Sequence, residues 1–205
     1  MLRFGTIGSG WITDEYIHGA KDSGLWELTA VYSRTPERGW EYAKKHGAAE
    51  VFTDIRAMAA SDCIDAVYIA SPNVMHYEHC KAFLENGKHV ICEKPLCAQA
   101  EKAAELYRLA EKNHVIFLEA IMFLHLPQRK LLEDALKKIG DISMAKIDFC
   151  QRSSKLDTFL NGELPNIFNP QLETGALMDL GVYCVYPALH FFGKPQSFHI
   201  DTVQL

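Results

Sequence analysis

The stretch Arg3-Phe4-Gly5-Thr6-Ile7-Gly8-Ser9-Gly10-Trp11-Ile12-Thr13 decides the fold. Arg3–Ile7 is a short apolar run of strand type, and it feeds directly into a glycine-rich turn that opens a helix. This is a Gly-x-Gly-x-x-Thr version of the dinucleotide-binding fingerprint. Gly8 permits the tight turn. Gly10 lets the main chain approach a pyrophosphate, which then sits at the positive N-terminal end of the helix, and Trp11 and Ile12 complete the cofactor loop. Thr13 occupies the place of the third glycine, so the fingerprint is incomplete.

Outward from this turn, a short apolar run, a turn and a longer segment of helical spacing recur as far as about Glu119, the pattern of βα units on a parallel sheet. Six strands are expected: Arg3–Ile7, Leu28–Ser33, Glu50–Phe52, Ala66–Ala70, His89–Cys92 and Val115–Glu119. Most are β-branched or apolar throughout, as strands covered on both faces should be. Between the last two, Ala100, Ala103, Ala104, Tyr107 and Ala110 mark one helix face, with Glu101, Lys102, Glu105, Arg108 and Glu111 on the wet side. Thr35-Pro36 and Thr53-Asp54 supply helix starts. The fold class is α/β: a doubly wound parallel Rossmann domain over residues 1–122, followed by a partial α/β domain with an open sheet over 123–205. The second part reads as a helix at Arg129–Lys138, a strand at Ser143–Arg152, a polar turn-rich stretch to Thr174, a buried helix from Gly175 and a strand-like His199–Leu205.

Composition narrows the function classes. Apolar residues at 48% and charged residues at 23% describe a globular chain, not a disordered one. A net charge of -5 gives no broad positive field for a nucleic-acid backbone, so any anionic ligand must be met locally. The six cysteines contain no Cys-x-x-Cys pair and lie in apolar stretches, which points to reduced thiols in a cytoplasmic protein and to no metal. The N-terminus turns glycine-rich before a signal-peptide core can develop. Gly175–Gly193 is the most membrane-like stretch, but Asp179, Pro187 and His190 are costly in lipid, so no membrane partner is expected.

Three strand ends carry candidate chemistry. Ser33-Arg34 stands where NAD-preferring domains place an acidic residue on the ribose; a hydroxyl and a fork-shaped guanidinium suit a 2'-phosphate, which favours NADP(H), with NAD(H) second. At the fourth strand end, Ser71, Asn73 and His76 are candidate cofactor contacts, whereas His79, one turn on, reads as structural. At the fifth, Cys92-Glu93-Lys94-Pro95 sets charged residues on the crevice edge. Glu93 is read as touching cofactor, and Lys94 as donating to a substrate oxygen and stabilising the negative charge that develops there. Pro95 fixes the turn, with a cis bond open to it.

These motifs, with Gly87-Lys88-His89 before the Glu-Lys-Pro block, Glu119-Ala120-Ile121-Met122, and Gly175-Ala176-Leu177-Met178-Asp179-Leu180-Gly181-Val182-Tyr183, resemble the Gfo/Idh/MocA family of oxidoreductases. The resemblance implies hydride transfer between a nicotinamide cofactor and a secondary alcohol of a sugar, polyol or cyclic diol. It implies a catalytic set of Lys94, Asp179 and Tyr183, with Tyr in place of His as in the dihydrodiol dehydrogenase-like branch. Lys94 is expected to lower the Tyr183 pKa so that the phenolate takes the hydroxyl proton. Asp179 is expected to orient the substrate or Lys94. Leu124 stands where many relatives carry arginine. The family pattern also implies homo-oligomers and a second domain longer than residues 123–205, so an incomplete second domain is expected. The competing reading is a non-catalytic dinucleotide-binding regulator or sensor.

Overall fold

The computed structural model describes residues 1–203. Its centre is a six-stranded parallel sheet of β1 (Leu2–Ile7), β2 (Trp26–Tyr32), β3 (Glu50–Phe52), β4 (Ala66–Ile69), β5 (His89–Cys92) and β6 (Phe117–Glu119), in the order β3-β2-β1-β4-β5-β6. The order reverses direction between β1 and β4. At that switch point the two strand ends diverge and leave a crevice.

Helices α1 (Trp11–Ser23), α2 (Pro36–His46), α3 (Ile55–Ala60), α4 (Asn73–Glu85) and α5 (Ala100–Lys112) connect the strands. Right-handed crossovers that run in opposite directions along the sheet place helices on both faces. One apolar cluster joins Ile7, Ile69, Phe83, Leu84, Val90 and Leu106; the other joins Phe4, Ile17, Leu28, Val31 and Ala43. Neighbouring residues of one strand fall in different clusters, as the two-residue side-chain period requires. Asp54, not Thr53, caps α3 and accepts the Ala57 amide at 2.7 Å. Thr35 caps α2 through its extended backbone alone, without a side-chain hydrogen bond, and Pro36 follows it.

The fingerprint turn is held by sterics. Gly8 has φ +110°, and a Cβ there would lie 2.6 Å from the Ala70 carbonyl oxygen at the end of β4. Gly10 is the N-cap of α1, and a Cβ on it would meet nothing within 4 Å. The first glycine is thus demanded by the protein itself, and the second leaves room beside the helix N-terminus. Thr13 is fully buried between helix and sheet, filling the space of the missing third glycine, and its hydroxyl has no partner.

Beyond β6 the chain forms α6 (Met122–His125), α7 (Gln128–Leu136), α8 (Leu156–Leu160), two 3-10 turns (Asn166–Phe168 and Pro170–Leu172), a π-helical turn (Leu177–Gly181) and α9 (Val182–Phe192). Three expectations are corrected here. Ser143–Arg152 is not a strand: among the described residues no neighbouring segment supplies a ladder of hydrogen bonds, so it stays irregular with Met144 and Phe149 exposed. Cys150 on this segment is exposed too, unlike the buried Cys80 and Cys92. His199–Val203 is likewise irregular, and the rest of that expected strand lies outside the described residues. The helix from Gly175 forms but is not buried; no residue of Leu177–Phe192 is fully covered. Pro170–Phe192 is long and apolar enough to cross a membrane by length and composition alone. Here it is interrupted by the π-helical turn, carries Pro187 inside α9, and turns Asp179 onto Lys94.

Replacing Gly8 by alanine combines a disfavoured φ with a backbone clash, so it should cost at least about 2 kcal/mol of stability. Chemical denaturation measures this. Gly10→Ala, with open space around its Cβ, should unfold near the parent's midpoint.

Candidate active site

Lys94 follows β5, where the strand's apolar run gives way to charge. The Glu93 amide still donates to the Ile69 carbonyl at 2.8 Å, so the sheet fixes the backbone up to the residue before the lysine. The Lys94–Pro95 bond is cis. The ammonium does not point to bulk water: the side chain is 15% exposed, and Nζ lies 2.9 Å from both Oδ1 and the main-chain oxygen of Asp179. It also lies 4.9 Å from the centre of the Tyr183 ring, within cation–π range. Asp179 sits in the π-helical turn and Tyr183 in the first turn of α9, four residues on, so both present to the same side. The three residues expected to work together therefore meet.

The expected electrostatics of Tyr183 are corrected. Its phenol pKa is raised, because burial outweighs the lowering by the Lys94 charge; Glu93 and Asp179 push the same way as burial. Phe149 packs edge-on to the ring at 5.8 Å and takes part in that burial. The phenol is therefore neutral at pH 7, a proton donor and not a ready phenolate.

The neighbouring loops divide into ligand-facing and internal groups. Glu93 is internal: Oε1 accepts the Tyr68 hydroxyl at 2.5 Å, and Oε2 accepts the Lys94 amide at 3.2 Å. Tyr68 is stacked on Tyr16 at 3.8 Å, and burial raises its phenol pKa, which keeps it a donor to Glu93. His76 is internal as well. It is fully buried, its two ring nitrogens 2.9 and 2.8 Å from the Pro95 and Ser71 carbonyl oxygens, so it ties the two strand-end loops together. Asn73 opens α4 and donates to the Glu173 carbonyl at 2.8 Å. Trp11 is 74% exposed, and neither it nor Ile12 lines the cleft.

Two adjoining cavities occupy the crevice. One, of about 550 Å³, is lined by Gly8, Ser9, Ser33, Arg34, Arg38 and His79 among others. The second, of about 340 Å³, contains Lys94, Asp179, Asn73 and Thr174. They share Ala70, Ser71, Pro72 and Asn166, so an elongated ligand can run from the arginines to the lysine. Arg38 and Asn166 escaped the sequence reading, and His79, read as structural, is a buried residue on the wall of the first cavity. Arg38 enters from the first turn of α2, beyond the strand end that carries Arg34. Asn166 arrives from a distant 3-10 turn, for which no local pattern exists. His79 bonds the Ser71 hydroxyl at 3.0 Å, and burial holds its pKa down to about 4.

The donor set fits a phosphorylated dinucleotide. A glycine turn with free space at the N-terminus of α1 accommodates a pyrophosphate, and Ser33 with two guanidinium groups meets further phosphate charge. Among the described residues no cluster of ligands suits a metal ion.

Comparison with known proteins agrees with this architecture. Residues 2–121 match the family model described as "Oxidoreductase family, NAD-binding Rossmann fold", and residues 129–205 match the GFO/IDH/MocA C-terminal domain. The chain is 47% identical over 197 residues to a scyllo-inositol 2-dehydrogenase (NADP(+)) of Bacillus subtilis, covering 96% of this chain and 60% of that protein. It is 27% identical to the trans-1,2-dihydrobenzene-1,2-diol dehydrogenase of Mus musculus, covering 98% and 60%. A 3-ketoreductase from Actinomadura kijaniata, solved in complex with NADP and TDP-benzene, superimposes with a TM-score of 0.79 at 30% identity over 94% of this chain and 57% of that one. The chain thus spans about 60% of the length of these curated relatives.

His79 provides a pH test. Its folded pKa of about 4 lies below the 6.5 of an unconstrained imidazole, so the unfolded chain binds the proton first as pH falls. The stabilisation from keeping His79 neutral is complete above pH 6.5 and lost on the way to pH 4, amounting to about 3 kcal/mol. Denaturation midpoints across this range should fall in the parent and fall less in His79→Gln.

Proposed function

The chain belongs to the Gfo/Idh/MocA family of oxidoreductases, and we propose that it is an NADP(H)-dependent cytoplasmic dehydrogenase acting on a secondary alcohol of a sugar, polyol or cyclic diol, or on the corresponding ketone. The observation that carries this reading is the pairing of Lys94 with Asp179 at one end of a nucleotide-sized cleft, with the Tyr183 ring against the same ammonium just outside the cavity lining. The names of the relatives, an inositol dehydrogenase, a diol dehydrogenase and a ketoreductase, support the substrate class.

The cofactor, when bound, supplies the hydride chemistry. Gly8 and Gly10 make room for its pyrophosphate, while Ser33, Arg34 and Arg38 face its adenosine end; the two arginines favour the 2'-phosphorylated form by direct charge pairing. Ser71 lines both cavities and borders the passage between them. At the far end, Asp179 holds the Lys94 ammonium so that one face stays available to a substrate oxygen. An oriented cation in a partly dehydrated pocket stabilises negative charge on that oxygen more than it stabilises the neutral ground state. Tyr183, neutral because it is buried, donates its proton to the oxygen during ketone reduction and accepts it back during alcohol oxidation. The raised phenol pKa favours reduction near neutral pH and moves oxidation to alkaline pH.

Two sets of variants test the reading. Lys94→Ala should lower turnover of polyols or their ketones by at least about 100-fold, the scale for losing an oriented electrostatic group. Its affinity for NADPH should stay near that of the parent; full activity in this variant would remove the mechanism. A parent that binds NADPH but moves no hydride with any polyol or diol would favour a regulator instead. For cofactor choice, Arg34→Ala and Arg38→Ala should each weaken NADPH binding about ten- to hundredfold, the cost of one charge-assisted hydrogen bond, and leave NADH nearly unchanged. Equal affinities of the parent for NADPH and NADH would overturn the NADP(H) assignment.

A further inference from the structure

The candidate site is assembled from two parts of the chain with little direct packing between them. Lys94 belongs to the end of β5, whereas Asp179 and Tyr183 belong to the π-helical turn and α9, more than eighty residues on. Behind the site, between the Pro95–Ala98 loop, α5 and α9, lies a largely apolar cavity of about 850 Å³. Interlocking side chains therefore do not hold the first turns of α9 there. Its far end is anchored separately, where Phe123 packs on His190 and Phe191, and Glu133 bonds His190 at 2.7 Å.

Glu119 reaches both edges of this cavity. It ends β6, where it pairs with Cys92 of β5, and the following Ala120 amide donates to the Cys92 carbonyl at 2.7 Å, so its backbone is fixed by the sheet. Oε1 accepts the Leu96 amide at 2.8 Å, two residues past Lys94. Oε2 accepts the Tyr186 hydroxyl in a short hydrogen bond, and Tyr186 lies on α9 three residues past Tyr183. The two oxygens of one carboxylate are thus tied to the two elements that carry the catalytic set. Glu119 does not line the Lys94 cavity. Burial and the carboxylate together push the Tyr186 phenol pKa up, which keeps it a donor in this bond.

We propose that Glu119 is a positioning residue that, through Leu96 and Tyr186, sets the spacing between Lys94 and the Asp179–Tyr183 pair. This role rests on the hydride-transfer reading above for its catalytic consequence, but its structural content stands independently of it. The clamp constrains α9 whether or not a substrate turns over.

The test uses the whole chain saturated with NADPH and compares the parent with Tyr186→Phe, which removes one hydroxyl and keeps the ring, and with Glu119→Gln. In Tyr186→Phe, amide hydrogen exchange over residues 177–186 should accelerate, kcat for polyol oxidation should fall about tenfold, and the dissociation constant of NADPH should stay within about twofold, the size of effect expected of one coupled hydrogen bond. The acid limb of the kcat profile should also shift. Tyr183 is balanced between burial, Glu93 and Asp179, which raise its pKa, and Lys94, which lowers it, and a looser α9 disturbs that balance. Glu119→Gln should produce the same changes, and the double variant should be no worse than the worse single one, because both act through one contact. Unchanged exchange and unchanged kcat in Tyr186→Phe would overturn the proposal, as would a lower melting temperature with neither kcat nor the pH limb affected. A parent that moves no hydride defeats the hydride-transfer reading alone; faster exchange in Tyr186→Phe would then still support the clamp, and unchanged exchange would still defeat it.

Discussion

The ion pair between Lys94 and Asp179 is the interaction on which the rest of the site depends. It joins the end of a buried parallel strand to a turn far along the chain, with Nζ held by a carboxylate oxygen and a main-chain oxygen of the same residue. Removing a charge from water is expensive unless a partner is supplied, and the Asp179 carboxylate supplies one. Such a pair adds little net stability, because desolvation offsets much of the attraction. Its value is orientation, a cation pointed along one direction at the edge of a nucleotide cleft.

Electrostatics around this pair also give the proposed chemistry a direction. A lysine beside a tyrosine is readily taken as a device for making phenolate. Burial of Tyr183, helped by Phe149 and two nearby carboxylates, outweighs the lysine. The result is a neutral phenol next to a fixed cation, an arrangement that stabilises an oxyanion and protonates it. Oxidation by the same groups requires the phenol to release its proton first, which costs more at low pH.

Much of the sheet was legible because its signals are local. Every strand expected of the parallel sheet forms, four of them shifted at an end by one or two residues, since apolar runs bounded by glycine turns and capped helices leave few alternatives. The fingerprint glycines were legible for the same reason; that Asp179 and Tyr183 belong beside Lys94 was implied only by the family resemblance, and the three do lie together. What failed needed knowledge of neighbours. Ser143–Arg152 alternates like a strand, but alternation makes a strand only where another segment completes its hydrogen bonds. His76 looked like a ligand and is instead a strut between two carbonyl oxygens, because which face of α4 it occupies is set by packing. Arg38 and Asn166 enter the cleft through a helix turn and a distant loop, contacts that single-strand reasoning does not reach.

The most direct test of the central claim is a crystal structure of the protein with NADP(H) and a polyol bound. The account requires the nicotinamide end of the cofactor to lie in the Lys94 cavity, with the reacting hydroxyl within about 3 Å of the lysine nitrogen and of the Tyr183 oxygen. A nicotinamide directed away from that cavity, or a substrate oxygen held by other groups with Lys94 still bound only to Asp179, would contradict it.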